Sequence, residues 1–203
     1  MIRSNLLRLA AVGATAISLS ACALLSSPDP VQTYRFGGVS GQAATPVADP
    51  ILVGMRRVEM PEAAEGDRLL GVTGTETAYI GGARWISPAA DLLTDSLENA
   101  FASQATQVRL IGPRELARST RTLDIDIRAF ETRYPAPEAV PTVVITARVR
   151  LLTLPERQVK VERIFTVEQP AAANRVGAIV EAYDLATRDL NTQIVAWTEA
   201  NAA

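Results

Sequence analysis

Histidine is absent from the 203-residue chain, and cysteine occurs once, at Cys22. Without imidazole there can be no Ser-His-Asp triad and no zinc site built on nitrogen ligands. Without a second thiol there is no disulfide within the chain. Once Cys22 is modified, no thiol nucleophile remains either. Lysine is nearly missing too: Lys160 stands alone and every other basic residue is arginine, a bias we assign to the source genome. Positive charge is in deficit, with 20 basic against 22 acidic residues, and loss of Arg3 and Arg8 with a cleaved N-terminus moves the net charge from −2 to −4. That leaves no basic field for nucleic acid. A glycine-rich phosphate loop with its lysine is also lacking, so ATP hydrolysis is not expected. Carboxylate-only chemistry, as in glycoside hydrolysis, is what the composition leaves open to an enzyme. We expect no catalytic residue, no metal and no cofactor.

What is present begins at the N-terminus. Arg3 and Arg8 precede an uncharged, mostly apolar run from Leu9 to Leu19, the layout of a secretory signal peptide. The run is too short to span a bilayer, which takes roughly 20 residues. It ends in Leu19-Ser20-Ala21-Cys22, which resembles the lipobox of bacterial lipoproteins: a long apolar residue, two small ones beside the cut, then the thiol that accepts the lipid. The expected organisation is a signal peptide over 1–21, a lipidated tether over 22–30 with Cys22 as the lipidation site, and one folded domain over 31–203. Acyl chains hold a protein by about 0.8 kcal/mol per buried methylene, and stable anchoring takes more than one chain. Ala23 stands where an aspartate would favour inner-membrane retention under the enterobacterial sorting rule, so the periplasmic face of the outer membrane is the expected location.

Along the folded part, Val31 to Phe36 reads as a first strand, Gly37 to Pro50 as a loop, and Ile51 to Val58 as a strand stopped by Met60-Pro61. Pro61 to Asp67 reads as a second loop. Leu69–Val72 and Thr75–Ile80 flank Thr73-Gly74 as a hairpin, and Gly81-Gly82 breaks the pattern. Ser87-Pro88 is a helix start, serine capping and proline at the first helical position. Ala89, Leu93, Leu97, Ala100 and Phe101 then recur at helical spacing over about four turns. Val108–Ile111 reads as a strand and Arg114–Arg118 as a short helical turn.

Three alternating segments follow. Leu123, Ile125, Ile127 and Ala129 share one face against Asp124, Asp126 and Arg128, with a phase shift at Phe130 that suggests a bulge. Val143 to Leu151 and Val159 to Val167 repeat the period, implying an antiparallel meander with one solvated face. Val176, Ile179, Val180, Tyr183, Ala186, Leu190, Ile194 and Trp197 mark a closing amphipathic helix from Arg175 to about Ala200. The fold class is therefore α+β: a single two-layer domain, mainly antiparallel sheet, with two amphipathic helices packed on one face.

In order, Tyr34-Arg35-Phe36, Ala83-Arg84-Trp85-Ile86-Ser87-Pro88, Leu123 to Phe130, and the helix bearing Ala182, Ala186, Leu190, Ile194 and Trp197 resemble the ABC-type transport auxiliary lipoprotein family. The resemblance runs from about Tyr34 to Trp197. It implies a non-enzymatic partner of a mammalian-cell-entry (MCE) domain protein in an ABC lipid transporter, moving phospholipid or other apolar cargo between inner and outer membranes. A structural lipoprotein scaffolding another envelope complex is the alternative, and a lipid binder with its own closed cavity ranks third. Homo-oligomerisation is left open.

Each candidate site residue has a plainer reading. Arg84 and Trp85 form a candidate partner interface, since both residue types are favoured at hot spots. The favoured alternative is that Trp85 staples the helix start onto the sheet. Trp197 is read as core. Asp124 and Asp126 lack a glycine-bearing calcium loop and read as a solvated strand face. Arg148 and Arg150 are placed to pair with them across strands, with lipid-phosphate binding as the minority reading.

Overall fold

The outermost layer of information is the strand register, set by which apolar residues must face inward. The structure, a computed structural model, describes residues 31–38 and 43–203. The signal segment, Cys22 and the whole of the tether lie outside the described residues, as do residues 39–42 of the first loop. Among the described residues, eight strands form one sheet: β1 (Gln32–Tyr34), β2 (Ile51–Met55), β3 (Arg68–Thr73), β4 (Glu76–Trp85), β5 (Val108–Ile111), β6 (Arg121–Tyr134), β7 (Thr142–Thr153) and β8 (Gln158–Pro170). Three helices accompany them among the described residues: the single turn α1 (Glu62–Glu65), α2 (Ala89–Gln104) and α3 (Val176–Asn201).

β6 organises the sheet. Along one edge it pairs antiparallel with β7, which pairs antiparallel with β8. Along the other edge it takes two partners in succession, both parallel: β2 at Arg121–Leu123 and β3 at Thr132–Tyr134. An isolated parallel bridge, Glu59 to Asp126, lies between them. β5 then extends β2 in parallel, β4 extends β3 antiparallel, and β1 closes on β4 in parallel. The long ladders are thus antiparallel as expected, while the shorter joins are parallel.

The phase shift at Phe130 is a bulge. Ile127 pairs with Ala147 but Ala129 pairs with Thr146, leaving Arg128 as the extra residue. Phe130 and Thr132 thereby return to the face already occupied by Leu123, Ile125 and Ile127, and all five are buried. That face and the inward residues of β7 meet α2 and α3 in one core containing Leu93, Leu97, Ile179, Tyr183 and Leu190. Trp197 lies in the same core, edge-on to Phe165 at 6.0 Å between ring centres.

Several local expectations are corrected. Gly81-Gly82 does not end a strand: β4 continues to Trp85, but its pairing with β3 jumps from Arg68–Arg84 to Leu70–Tyr79. The extra residues bow outward around Gly82, whose φ of 69° needs glycine. Pro61 to Asp67 is not all loop, because Glu62–Glu65 forms one helical turn that buries Ala64. Ser87 does not cap α2; Pro88 occupies the N-cap position, with no side-chain cap. Arg114–Arg118 forms no helix. Among the described residues, no helix is long and apolar enough to cross a membrane.

Candidate functional site

The corner between β4 and α2 carries the predicted Arg84–Trp85 pair, and the two side chains part company there. Alternation along β4 sends Trp85 inward, where it is 2% exposed. Its ring meets Phe36 at 4.9 Å and Tyr183 at 5.2 Å, both edge-on, and Phe130 stacks obliquely on Phe36 and Tyr183. Such contacts add about 0.5–1.5 kcal/mol each beyond burial. Tyr183 is fully buried and its hydroxyl accepts a 3.2 Å hydrogen bond from Thr132; burial pushes its phenol well above the ordinary range. Trp85 therefore joins β1, β4 and α3 and is not presented to a partner. This corrects its placement as an interface residue. Arg84 does reach the surface, with its guanidinium 2.7 Å from Asp67, and Ile86 beside it is 63% exposed.

The outward face of β6–β8 holds the other sequence candidates. Asp124 and Arg150 are opposite in the ladder and 2.5 Å apart, with the aspartate side chain only 5% exposed. Arg56, just past β2, approaches the second oxygen of the same carboxylate at 3.9 Å. Arg148 does not take Asp126; it pairs diagonally with Glu162 at 2.6 Å, and Asp126 pairs with Arg128 at 2.6 Å. The hydrogen bond from Arg148 holds the Glu162 carboxyl below the usual carboxylate range. The face is a lattice of ion pairs in which Asp124 is the one acid withdrawn from water. Among the described residues, no group of three or more acidic, histidine or cysteine side chains is arranged to hold a metal.

A groove of about 670 Å³ runs between the C-terminal half of α2, β5 and the following segment. Phe101, Ala105, Val108 and Leu110 line it, and Glu98, Arg109 and Arg114 stand among its polar lining residues. Between α2 and β5, the carboxylate of Glu199 on α3 accepts the backbone N–H groups of Thr106 and Gln107 at 2.5 and 2.6 Å. Glu98 packs over Gly112, and burial, followed by repulsion from Asp95, raises its carboxyl above the ordinary range. The groove is open to solvent rather than a closed chamber.

Residues 34–195 match the family described as ABC-type transport auxiliary lipoprotein component. The chain belongs to that family. The match begins at the last residue of β1 and ends within α3, so it spans β2 to β8, α1, α2 and most of α3. A solved protein from Xanthomonas campestris is 25% identical, with a TM-score of 0.68, over 84% of this chain and 96% of its own. A second solved structure, of an uncharacterised protein, is 17% identical with a TM-score of 0.66, over 83% and 99%. A hypothetical protein from Chlamydia trachomatis is 14% identical with a TM-score of 0.53, over 76% and 99%. The last two share the fold. No curated protein matches the sequence significantly. Membership makes this auxiliary lipoprotein a cell-envelope protein and an accessory of ABC-type transport.

Sequence reasoning missed Arg56 and Glu199. Arg56 sits at the end of a strand whose partner is far along the chain, and Glu199 looks like one more polar position on an amphipathic helix.

Proposed function

We propose that this auxiliary lipoprotein is a non-catalytic, lipid-anchored component of an MCE-type ABC transporter that moves phospholipid or other apolar cargo between the two membranes. Cys22 carries the lipid, 22–30 is the tether, and the anchor lies in the periplasmic face of the outer membrane. The single observation that carries the reading is the family match over residues 34–195, most of the folded domain. The lipobox-like Leu19-Ser20-Ala21-Cys22 supports the anchor. The concavities found are open grooves at the surface, which suits a protein that docks on a partner better than one that encloses cargo itself.

The partner is an MCE-domain protein, and the β4–α2 corner is where we place the contact, now on Arg84 and Ile86 rather than Trp85. Photoreactive residues at these two positions and at exposed Val47 should capture an MCE-domain protein in cells. Reproducible capture of an unrelated envelope protein from the same positions would replace the transport reading with that of a structural scaffold. Mass spectrometry of the mature N-terminus should find Cys22 acylated, and a free or unprocessed cysteine would remove the anchor.

A further inference from the structure

The ion pairs on the outward sheet face do not cancel its positive charge everywhere. Where β6 and β8 begin and β7 ends, a hollow of about 270 Å³ is lined by Arg56, Thr122, Leu152, Leu154 and Arg157. Thr122 and Leu152 lie opposite each other in the β6–β7 ladder and form its floor. Arg56 enters from the end of β2, and Arg157 from the turn between β7 and β8. The one acid within ion-pair reach of Arg56 among the described residues is Asp124, at 3.9 Å, and that carboxylate is already engaged at 2.5 Å by Arg150. Arg150 itself keeps a buried Nε–H without a partner. Arg157 makes no ion pair among the described residues. Glu156, next to it in the turn, does not line the hollow.

Arg157 also has a φ of 55°. A long side chain seldom adopts that left-handed backbone, which glycine or asparagine would occupy with less strain.

We propose that this hollow binds a phosphate group. Two guanidiniums from separate strand ends present forked N–H donors, the geometry suited to phosphate oxygens. The Thr122 hydroxyl supplies a further donor from the floor. Leu152 and Leu154 give the site an apolar wall, so it fits a phosphate diester with carbon on one side as well as free phosphate. Taking the phosphate to be that of a phospholipid headgroup rests on the transport function proposed above; the phosphate site itself does not.

The test uses the full lipidated protein in an uncharged maltoside detergent and follows ³¹P line broadening during three titrations. The probes are inorganic phosphate, glycerophosphoglycerol, and short-chain phosphatidylglycerol. Binding should weaken about tenfold or more in the Arg56→Gln/Arg157→Gln double variant, whose thermal unfolding should match the parent. The double variant Arg114→Gln/Arg118→Gln should bind as the parent does. Broadening by the two diesters but not by inorganic phosphate assigns the site to a headgroup; equal or stronger binding of inorganic phosphate assigns it to the free anion. No broadening with any probe, or broadening that survives the Arg56/Arg157 change, overturns the site. Capture of the MCE-domain partner is read from Arg84, Ile86 and Val47, away from this hollow, so failure of either experiment leaves the other standing.

Discussion

Asp124 and Arg150 face each other across the β6–β7 ladder, joined at 2.5 Å with the carboxylate almost wholly withdrawn from water. A buried charge that loses its partner costs more than the pair contributes when intact. Replacing Asp124 with asparagine leaves Arg150, three-quarters buried, beside a neutral group. Asp124→Asn should therefore destabilise the domain by about 2 kcal/mol, read as a shift in the urea midpoint with unchanged slope. Removing both partners together should cost less than the sum of the single losses. Additivity in that double-mutant cycle would show the pair to be uncoupled.

Trp85 and Arg84 are neighbours in sequence with opposite fates, and stability measurements should separate them. Trp85→Ala empties an enclosed site against Phe36 and Tyr183 of α3, and should cost about 3–5 kcal/mol. Arg84→Ala removes an exposed ion pair and should change stability by about 0.5 kcal/mol or less. In crosslinking from Ile86 the Arg84 change is expected to show its effect instead, as reduced partner capture. A mild Trp85→Ala phenotype in thermal unfolding would contradict the core position.

Gly37 fixes the exit of the first strand. Its φ is 65°, its N–H donates to Asp184 on α3 at 2.8 Å, and an added Cβ would lie 2.2 Å from the Ser96 hydroxyl on α2. Gly37→Ala has to accept the left-handed backbone, at about 1–2 kcal/mol, and to displace Ser96, which also accepts a hydrogen bond from Asn191. A total loss of about 2 kcal/mol or more is expected. Gly38→Ala, with open space around it, should be nearly neutral. Equal effects at the two positions in chemical denaturation would refute this.

Glu98 should give the domain a measurable pH signature. Its carboxyl is raised above the ordinary range, chiefly by burial and next by Asp95. The folded state thus holds this proton to higher pH than the unfolded chain. Stability from this group falls as pH rises through the folded value, and the cost persists at neutral pH. Glu98→Gln should stabilise the protein at pH 7 by about 0.5 kcal/mol, allowing for solvent screening at a site still largely open. The gain should vanish near about pH 3, where the parent is protonated in both states. A gain that stays constant from acid to neutral pH would assign the effect to packing against Gly112 instead.

Some of this architecture was written in local residue order. Alternation from Leu123 to Ile127, from Val143 to Leu151 and from Val159 to Val167 specified three strands with a common buried face, because side chains on a strand change sides at every residue. The helical recurrence of Leu93, Leu97 and Phe101, and of Ile179, Tyr183, Leu190 and Ile194, specified two helices needing that face, and with them the α+β class. Thr73-Gly74 marked its turn for an equally local reason.

Other features were decided only when distant segments met. The parallel joins of β6 to β2 and to β3 span three residues each, and pairings so short leave no periodic trace. Gly81-Gly82 looks the same in sequence whether it ends a strand or bows one outward; the pairing of Arg68 with Arg84 chose the bulge. Arg84 and Trp85 left two readings open in sequence, a partner interface and the favoured staple of Trp85 onto the sheet, until alternation along β4 sent Trp85 inward. The hollow between Arg56 and Arg157 belongs wholly to the tertiary structure, since guanidiniums separated by half the chain face one site only because β2 and β7 both flank the first residues of β6. Local order dictates which faces must be buried, while long-range pairing, with its cost in chain entropy, dictates which charges are left facing one another.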